Sequence, residues 1–169
     1  MVDNRRSQKN NTLKNFIGSS FFLGYLPLAP GTFGALPGVL LYYCLWRFLP
    51  HTYLQPALLM VIIVYILTTH FLTDWATDYW KSKDPSQFVL DEVIGFLCVP
   101  VFYQTNNLFD IIVTGFILFR VLDIIKLPIA KYVDKNVEGS TGIILDDIIS
   151  AMYAALCLYG LSFLNIQFN

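Results

Sequence analysis

The sequence predicts an all-α integral membrane protein, a helical bundle of about four to five apolar helices with one of them short or re-entrant. Two observations carry that prediction. The 169-residue chain is 56% hydrophobic and only 14% charged, against about 25% charged in soluble domains, and its mean hydropathy is +0.57. Its apolar residues also fall in long uncharged runs broken by proline, glycine and short polar turns. The length suits one domain, which the pattern places at residues 16–164 between a basic polar tail, 1–15, and a C-terminal tail, 165–169. A net charge of -1 offers no clustered basic face, so nucleic acid is not an expected partner.

The elements follow in order. Residues 1–11 are polar and lack the basic, apolar and small-residue order of a signal peptide, so they read as a frayed tail. Residues 34–49 form a shorter apolar helix that carries Arg47 near its end, and Pro50-His51 turns the chain back. Residues 53–73 are the firmest span: about twenty uncharged residues suffice to cross roughly 30 Å of hydrocarbon. Residues 93–103, about eleven, are too few to span alone and contain Pro100, which suggests a short, tilted or re-entrant helix. A polar break at 104–107 leads into an apolar helix over 108–125. A long polar connection over 126–144, punctuated by Pro128, Gly139 and Gly142, precedes a last apolar helix at 148–164.

Counting crossings along this order puts every charged cluster on one side of the bilayer. Arg5, Arg6, Lys9, Lys14, Lys81, Lys83, Lys126, Lys131 and Lys135 share that side, so the positive-inside rule makes it cytoplasmic. The three cysteines, Cys44, Cys98 and Cys157, lie in apolar runs without metal-ligand spacing and read as packed or lipid-facing thiols. His51 sits at the far turn. His70 lies in the long span and reads as a packed polar residue or a helix–helix hydrogen-bonding residue rather than a catalyst.

Chemistry concentrates in two acidic pairs, Asp91-Glu92 and Asp146-Asp147, each placed just before an apolar helix. Carboxylates in a first helical turn can simply cap free N–H groups. A consecutive pair is more than a cap needs, and its like-charge repulsion would be relieved by a cation. Two pairs facing each other could surround one or two metal ions, and oxygen-only donors without His or Cys favour Mg²⁺.

Arg120 and Asp123 share roughly one helical face, continued by Lys126. They form either an intrahelical ion pair with a snorkelling lysine or a functional set in which Asp123 adds a metal ligand and Arg120 and Lys126 hold phosphate oxygens. Pro30-Gly31-Thr32-Phe33-Gly34 is either a plain turn or a helix start whose Gly31 and Thr32 receive an anion. Gly139-Ser140-Thr141-Gly142 is likewise a connector or a phosphate-contacting loop. No cysteine has an arginine six positions on, no Asp-x-Asp occurs, and no histidine sits among arginines. Covalent phosphatase chemistries therefore lack their residues, which leaves metal-activated water.

Pro30-Gly31-Thr32-Phe33-Gly34, Asp91-Glu92-Val93-Ile94-Gly95, Phe119-Arg120-Val121-Leu122-Asp123-Ile124-Ile125-Lys126 and Gly142-Ile143-Ile144-Leu145-Asp146-Asp147, taken in that order, resemble the motifs of the phosphatidylglycerophosphatase A family. The resemblance runs over most of the chain, and Asp134-Lys135-Asn136-Val137 also looks like a family segment. It implies a Mg²⁺-dependent enzyme of the bacterial inner membrane, multi-pass, with its active site facing the cytoplasm. Such an enzyme hydrolyses the terminal phosphate of phosphatidylglycerophosphate to give phosphatidylglycerol, in phosphatidylglycerol and cardiolipin synthesis.

The resemblance lays catalytic weight on Asp91, Glu92, Arg120, Asp123, Lys126, Asp146 and Asp147, with Thr32 and Asp134 as weaker members. The expected metal ligands are Asp91, Glu92, Asp123, Asp146 and Asp147. Two departures bear on the polar loop: Leu127 stands where the family usually has a first proline, and Ser140 replaces the second of two glycines. The competing reading is a cation transporter or channel subunit using the same carboxylates as a path, which calls for acids at mid-depth. A third is a peripheral or soluble helical phosphatase whose apolar helices form a bundle core. Membrane lipids are the expected surroundings in the first two cases, and the sequence carries no signal for oligomeric state.

Overall fold

The computed structural model describes residues 2–164, and among these the secondary structure is entirely helical. Met1 and the tail expected at 165–169 lie outside the described residues. The segment expected as a frayed N-terminal tail is instead helical, α1, Val2–Gly18. At its end the Ser19 hydroxyl donates to the Asn15 carbonyl and accepts the Phe22 N–H. The Val89 N–H donates to the Gly18 carbonyl. These bonds fasten the end of α1 beside the start of the first acidic helix.

Helix α2, Pro30–Phe48, begins at a proline in its first turn, where the missing N–H costs nothing and the fixed φ favours the helix. It therefore starts four residues before the expected apolar run, and Gly31 and Thr32 belong to its first turn. Helix α3, His51–Trp80, has 30 residues and is roughly 45 Å long. It and the 25-residue α7, Gly139–Phe163, are each long and apolar enough to cross a membrane.

Helix α4, Leu90–Phe102, has only 13 residues, and every side chain from Val93 to Pro100 is buried. It packs against α2, α3 and α7. A helix apolar on all sides is a core helix, and here that role explains a run too short to read as a span. The run expected at 108–125 is continuous, but begins with a π-helical stretch, Asp110–Gly115, before α5, Phe116–Ile125.

Two expectations fail in the region read as a long polar connection. Residues Pro128–Asn136 form a helix, α6, started by Pro128 in its first turn, and α7 begins at Gly139 rather than near Ile148. Gly142, read as loop punctuation, is buried within α7, and a Cβ on it would collide with the Val137 carbonyl. Asp146 and Asp147 therefore stand in the third turn of α7. They cannot cap it, and the capping reading of that pair falls.

Candidate active site

The first turns of α2 and α4, the last turn of α5 and the third turn of α7 meet at one end of the bundle around a cleft of about 380 Å³. Gly31, Thr32, Asp91, Glu92, Arg120, Asp123, Lys126, Asp146 and Asp147 all line it. Four separate stretches of sequence thus converge. The packing that brings them together needs glycine twice. A Cβ on Gly31 would strike Glu92 and Arg120, and one on Gly95 would strike the Phe119 ring and the base of Asp147. The backbone of α2 therefore sits directly against the charged groups, and α4 lies close on α5 and α7.

Within the cleft the acids divide into two groups. Glu92 from α4, Asp123 from α5 and Asp147 from α7 each bring a carboxylate oxygen to within 4.8 Å of the others. Arg120 joins this group, paired with Glu92 and, at 3.1 Å, with Asp123. One guanidinium does not satisfy the whole group: Asp147 Oδ2, Arg120 Nε and, next to the group, Asp91 Oδ1 are buried without a hydrogen-bond partner. Unmatched buried carboxylate oxygens carry their full desolvation cost.

The second group is closer to balance, with one ammonium for two carboxylates. Lys126 Nζ donates to Asp134 Oδ1 at 2.6 Å and to Asp146 Oδ2 at 2.7 Å, joining the end of α5 to α6 and α7. Partial burial works against the ammonium charge, but the two carboxylates outweigh it and hold the Lys126 pKa above the ordinary lysine value. Asp134 does not line the cleft and reaches it only through Lys126. Adjacent positions on a helix point about 100° apart, which is why Asp146 and Asp147 part company between the two groups, while Asp91 stays beside the first without an ion-pair partner.

Asp84 and Ser86, in the loop between α3 and α4, also line the cleft and were not selected from sequence. A lone acid in an irregular stretch carries no periodicity, and only its nearness to Asp91-Glu92 could have drawn notice. Gly139 and Thr141 do not line the cleft. Ser140 instead bonds to His70, 2.9 Å from Oγ to Nδ1, which fulfils the helix–helix role expected of that histidine.

An apolar body with an acidic cleft and a buried arginine at one end suits a membrane enzyme that acts on a phosphate ester. Comparison with known proteins narrows the class, because residues 16–162 match the family model of phosphatidylglycerophosphatase A. The chain belongs to that family, and it is a lipid phosphatase. It is 30% identical over 145 residues to the phosphatidylglycerophosphatase A of Escherichia coli K12, covering 86% of this chain and 81% of the relative. To the protein of the same name from Haemophilus influenzae it is 26% identical over 165 residues, with 96% and 98% covered. A Bacteroides thetaiotaomicron protein provisionally named a phosphatidylinositol-3-phosphatase is 31% identical over 147 residues, with 84% and 89% covered. No solved structure matches the chain significantly.

Proposed function

We propose that the protein hydrolyses the terminal phosphate of phosphatidylglycerophosphate with Mg²⁺ as cofactor, yielding phosphatidylglycerol for glycerophospholipid synthesis at the cytoplasmic face of a bacterial inner membrane. The observation that carries this reading is the compact set Glu92, Asp123 and Asp147 beside Arg120. The donors are all oxygens, and an orphaned Asp147 oxygen is among them, so the residues fit a hard divalent cation. Glu92, Asp123 and Asp147 would hold it, with Asp91 and Asp146 flanking. When bound, Mg²⁺ supplies charge neutralisation and Lewis acidity at the phosphoryl group.

The chain's own groups divide the remaining work. Arg120 offers its fork to the non-bridging phosphate oxygens, and the first-turn N–H groups of Gly31 and Thr32 add donors on the other side of the cleft. Asp91, with an unpartnered oxygen, accepts the proton of the attacking water. The water oxygen bonds to phosphorus, the phosphorus–glycerol oxygen bond breaks, and a proton returns to the glycerol oxygen to release inorganic phosphate. Lys126, already held by two carboxylates, positions Asp146 and serves phosphate only if one of those bonds opens.

The five apolar helices α2, α3, α4, α5 and α7 form the membrane body in this reading, with α4 shielded from lipid by its neighbours. Lys81, Lys83, Lys126, Lys131 and Lys135 stand in segments near the cleft end, which supports a cytoplasmic site. The transport alternative lacks a path: among the described residues the buried acids are Asp91, Asp123, Asp146 and Asp147, all in the cleft.

The test is phosphate release by the purified protein in vesicles, comparing phosphatidylglycerophosphate with phosphatidylinositol 3-phosphate, the substrate class in the Bacteroides relative's name. Faster Mg²⁺-dependent release from the glycerol lipid is expected. Preference for the inositol lipid would overturn the substrate, and no release from either would overturn the enzyme.

A further inference from the structure

We propose that the lipid substrate reaches the cleft sideways from the bilayer, between the start of α2 and the end of α5, its acyl chains lying in the crease between two exposed apolar helix faces. The inference rests on the phosphatase reading above and adds the path and the residues that line it.

The rim of the cleft is of two kinds. Asp84 and Ser86 make one part exposed and polar, while Leu28, 92% exposed, and Ile124, 68% exposed, make another part exposed and apolar. From the cleft-lining Thr32, the same face of α2 continues through Leu36, Val39 and Tyr43 at helical spacing. Leu36 and Tyr43 on that face are exposed. From Ile124, the outer face of α5 continues back through Val121 and Ile117, both exposed.

Both helices pack on α4. Fully buried Phe96 meets Tyr42 of α2 and Phe116 of α5 edge-on, at 6.5 and 5.7 Å between ring centroids. Both faces thus lead away from the phosphate-binding end and into the depth of the bundle, the direction acyl chains take from a headgroup.

An apolar surface gains nothing by exchanging bilayer hydrocarbon for acyl chain, since both are equally apolar, so the crease adds no transfer energy. What it provides is a path. A doubly charged phosphomonoester cannot be dragged through hydrocarbon and must travel at the level of the headgroups while its chains stay below. Only a gap open at both levels, with an apolar lip, allows that. The polar rim then gives water access and lets inorganic phosphate leave on the aqueous side.

The experiment uses the full-length Asp147→Asn protein in phosphatidylcholine vesicles, so that bound lipid is not turned over. Phosphatidylglycerophosphate with a photoactivatable diazirine on one acyl chain is compared with phosphatidylcholine labelled in the same way. Adducts of the phosphomonoester probe are expected to be enriched on peptides covering residues 36–43 and 117–124, and unlabelled phosphatidylglycerophosphate should suppress the enrichment. The same adduct distribution for both probes, or enrichment on residues 59–67 of α3, overturns the path.

In the otherwise native protein, Leu28→Trp should narrow the lip and cut turnover of the long-chain lipid about ten-fold or more. Phe71→Trp, on the exposed face of α3, should leave turnover unchanged, and equal effects of the two would also overturn the path. Absence of phosphate release by the native protein would instead defeat the phosphatase reading, so the two failures are distinguishable.

Discussion

The Arg120 guanidinium pairs with Glu92 and Asp123, while Asp147 and the neighbouring Asp91 each keep a buried oxygen unpartnered. Around Lys126, by contrast, the ammonium is shared by Asp134 and Asp146 in two short hydrogen bonds. The two regions adjoin in one cleft and draw on the same residue types, so the difference lies in how completely each charge is answered. A cation that answers carboxylates on neighbouring helices holds those helices together. Unbalanced buried charge costs stability unless something else binds, and this is what separates a ligand site from a latch.

The largest expected effect comes from removing an unbalanced carboxylate. Asp147→Asn and Asp123→Asn should each lower phosphate release on the order of 10²–10³-fold. Without divalent ion the thermal stability of Asp147→Asn should equal or exceed that of the native protein, because a repulsive buried charge without a partner has gone. A fall in melting temperature with activity kept would mean that the acids serve the fold. Next comes the shared cation: Arg120→Ala should destabilise by about 3–5 kcal/mol, since it strands buried carboxylates. Arg120→Lys should fold but lose about 10²-fold in turnover, because an ammonium cannot reproduce the planar fork.

Smaller effects belong to the latch. Lys126→Met leaves Asp146 without its donor and should cost about 1–3 kcal/mol in denaturation measurements, with Asp134→Asn at or below the lower end because Asp146 keeps the lysine. If Lys126→Met instead raised KM strongly at unchanged stability, Lys126 would belong with the phosphate ligands and the division between the regions would blur. The smallest effect is expected for Glu138→Gln. Its partner Lys83 and Glu138 itself are more than 80% exposed, and solvent-screened pairs contribute little, so neither activity nor melting temperature should change measurably.

The unbalanced half was readable in the sequence because its members sit at ends of strongly apolar runs, where a charge has no ordinary reason to be. Asp91-Glu92, Arg120 and Asp123 stood out for that reason, and the helix over 108–125 was bounded by the same contrast. The latch was harder to read. Lys126, Asp134 and Asp146 lie in or beside a polar stretch whose prolines and glycines suggest a loop. There Pro128 in fact starts a helix, and Gly142 serves close packing inside one. The identities of Asp146 and Asp147 were plain, while their place in the third turn of α7 depended on a helix start that Gly139 disguised. Asp84 and the polar α1 offered no hydrophobic periodicity at all, so only the folded arrangement reveals them.

In the proposed reading the group around Arg120 takes a cation and the group around Lys126 does not, which calorimetry of Mg²⁺ binding to the purified protein in detergent or lipid can separate. Asp147→Asn should abolish or greatly weaken binding, and Asp134→Asn should leave it close to native. Equal loss in both variants, or binding that survives Asp147→Asn, would contradict the account.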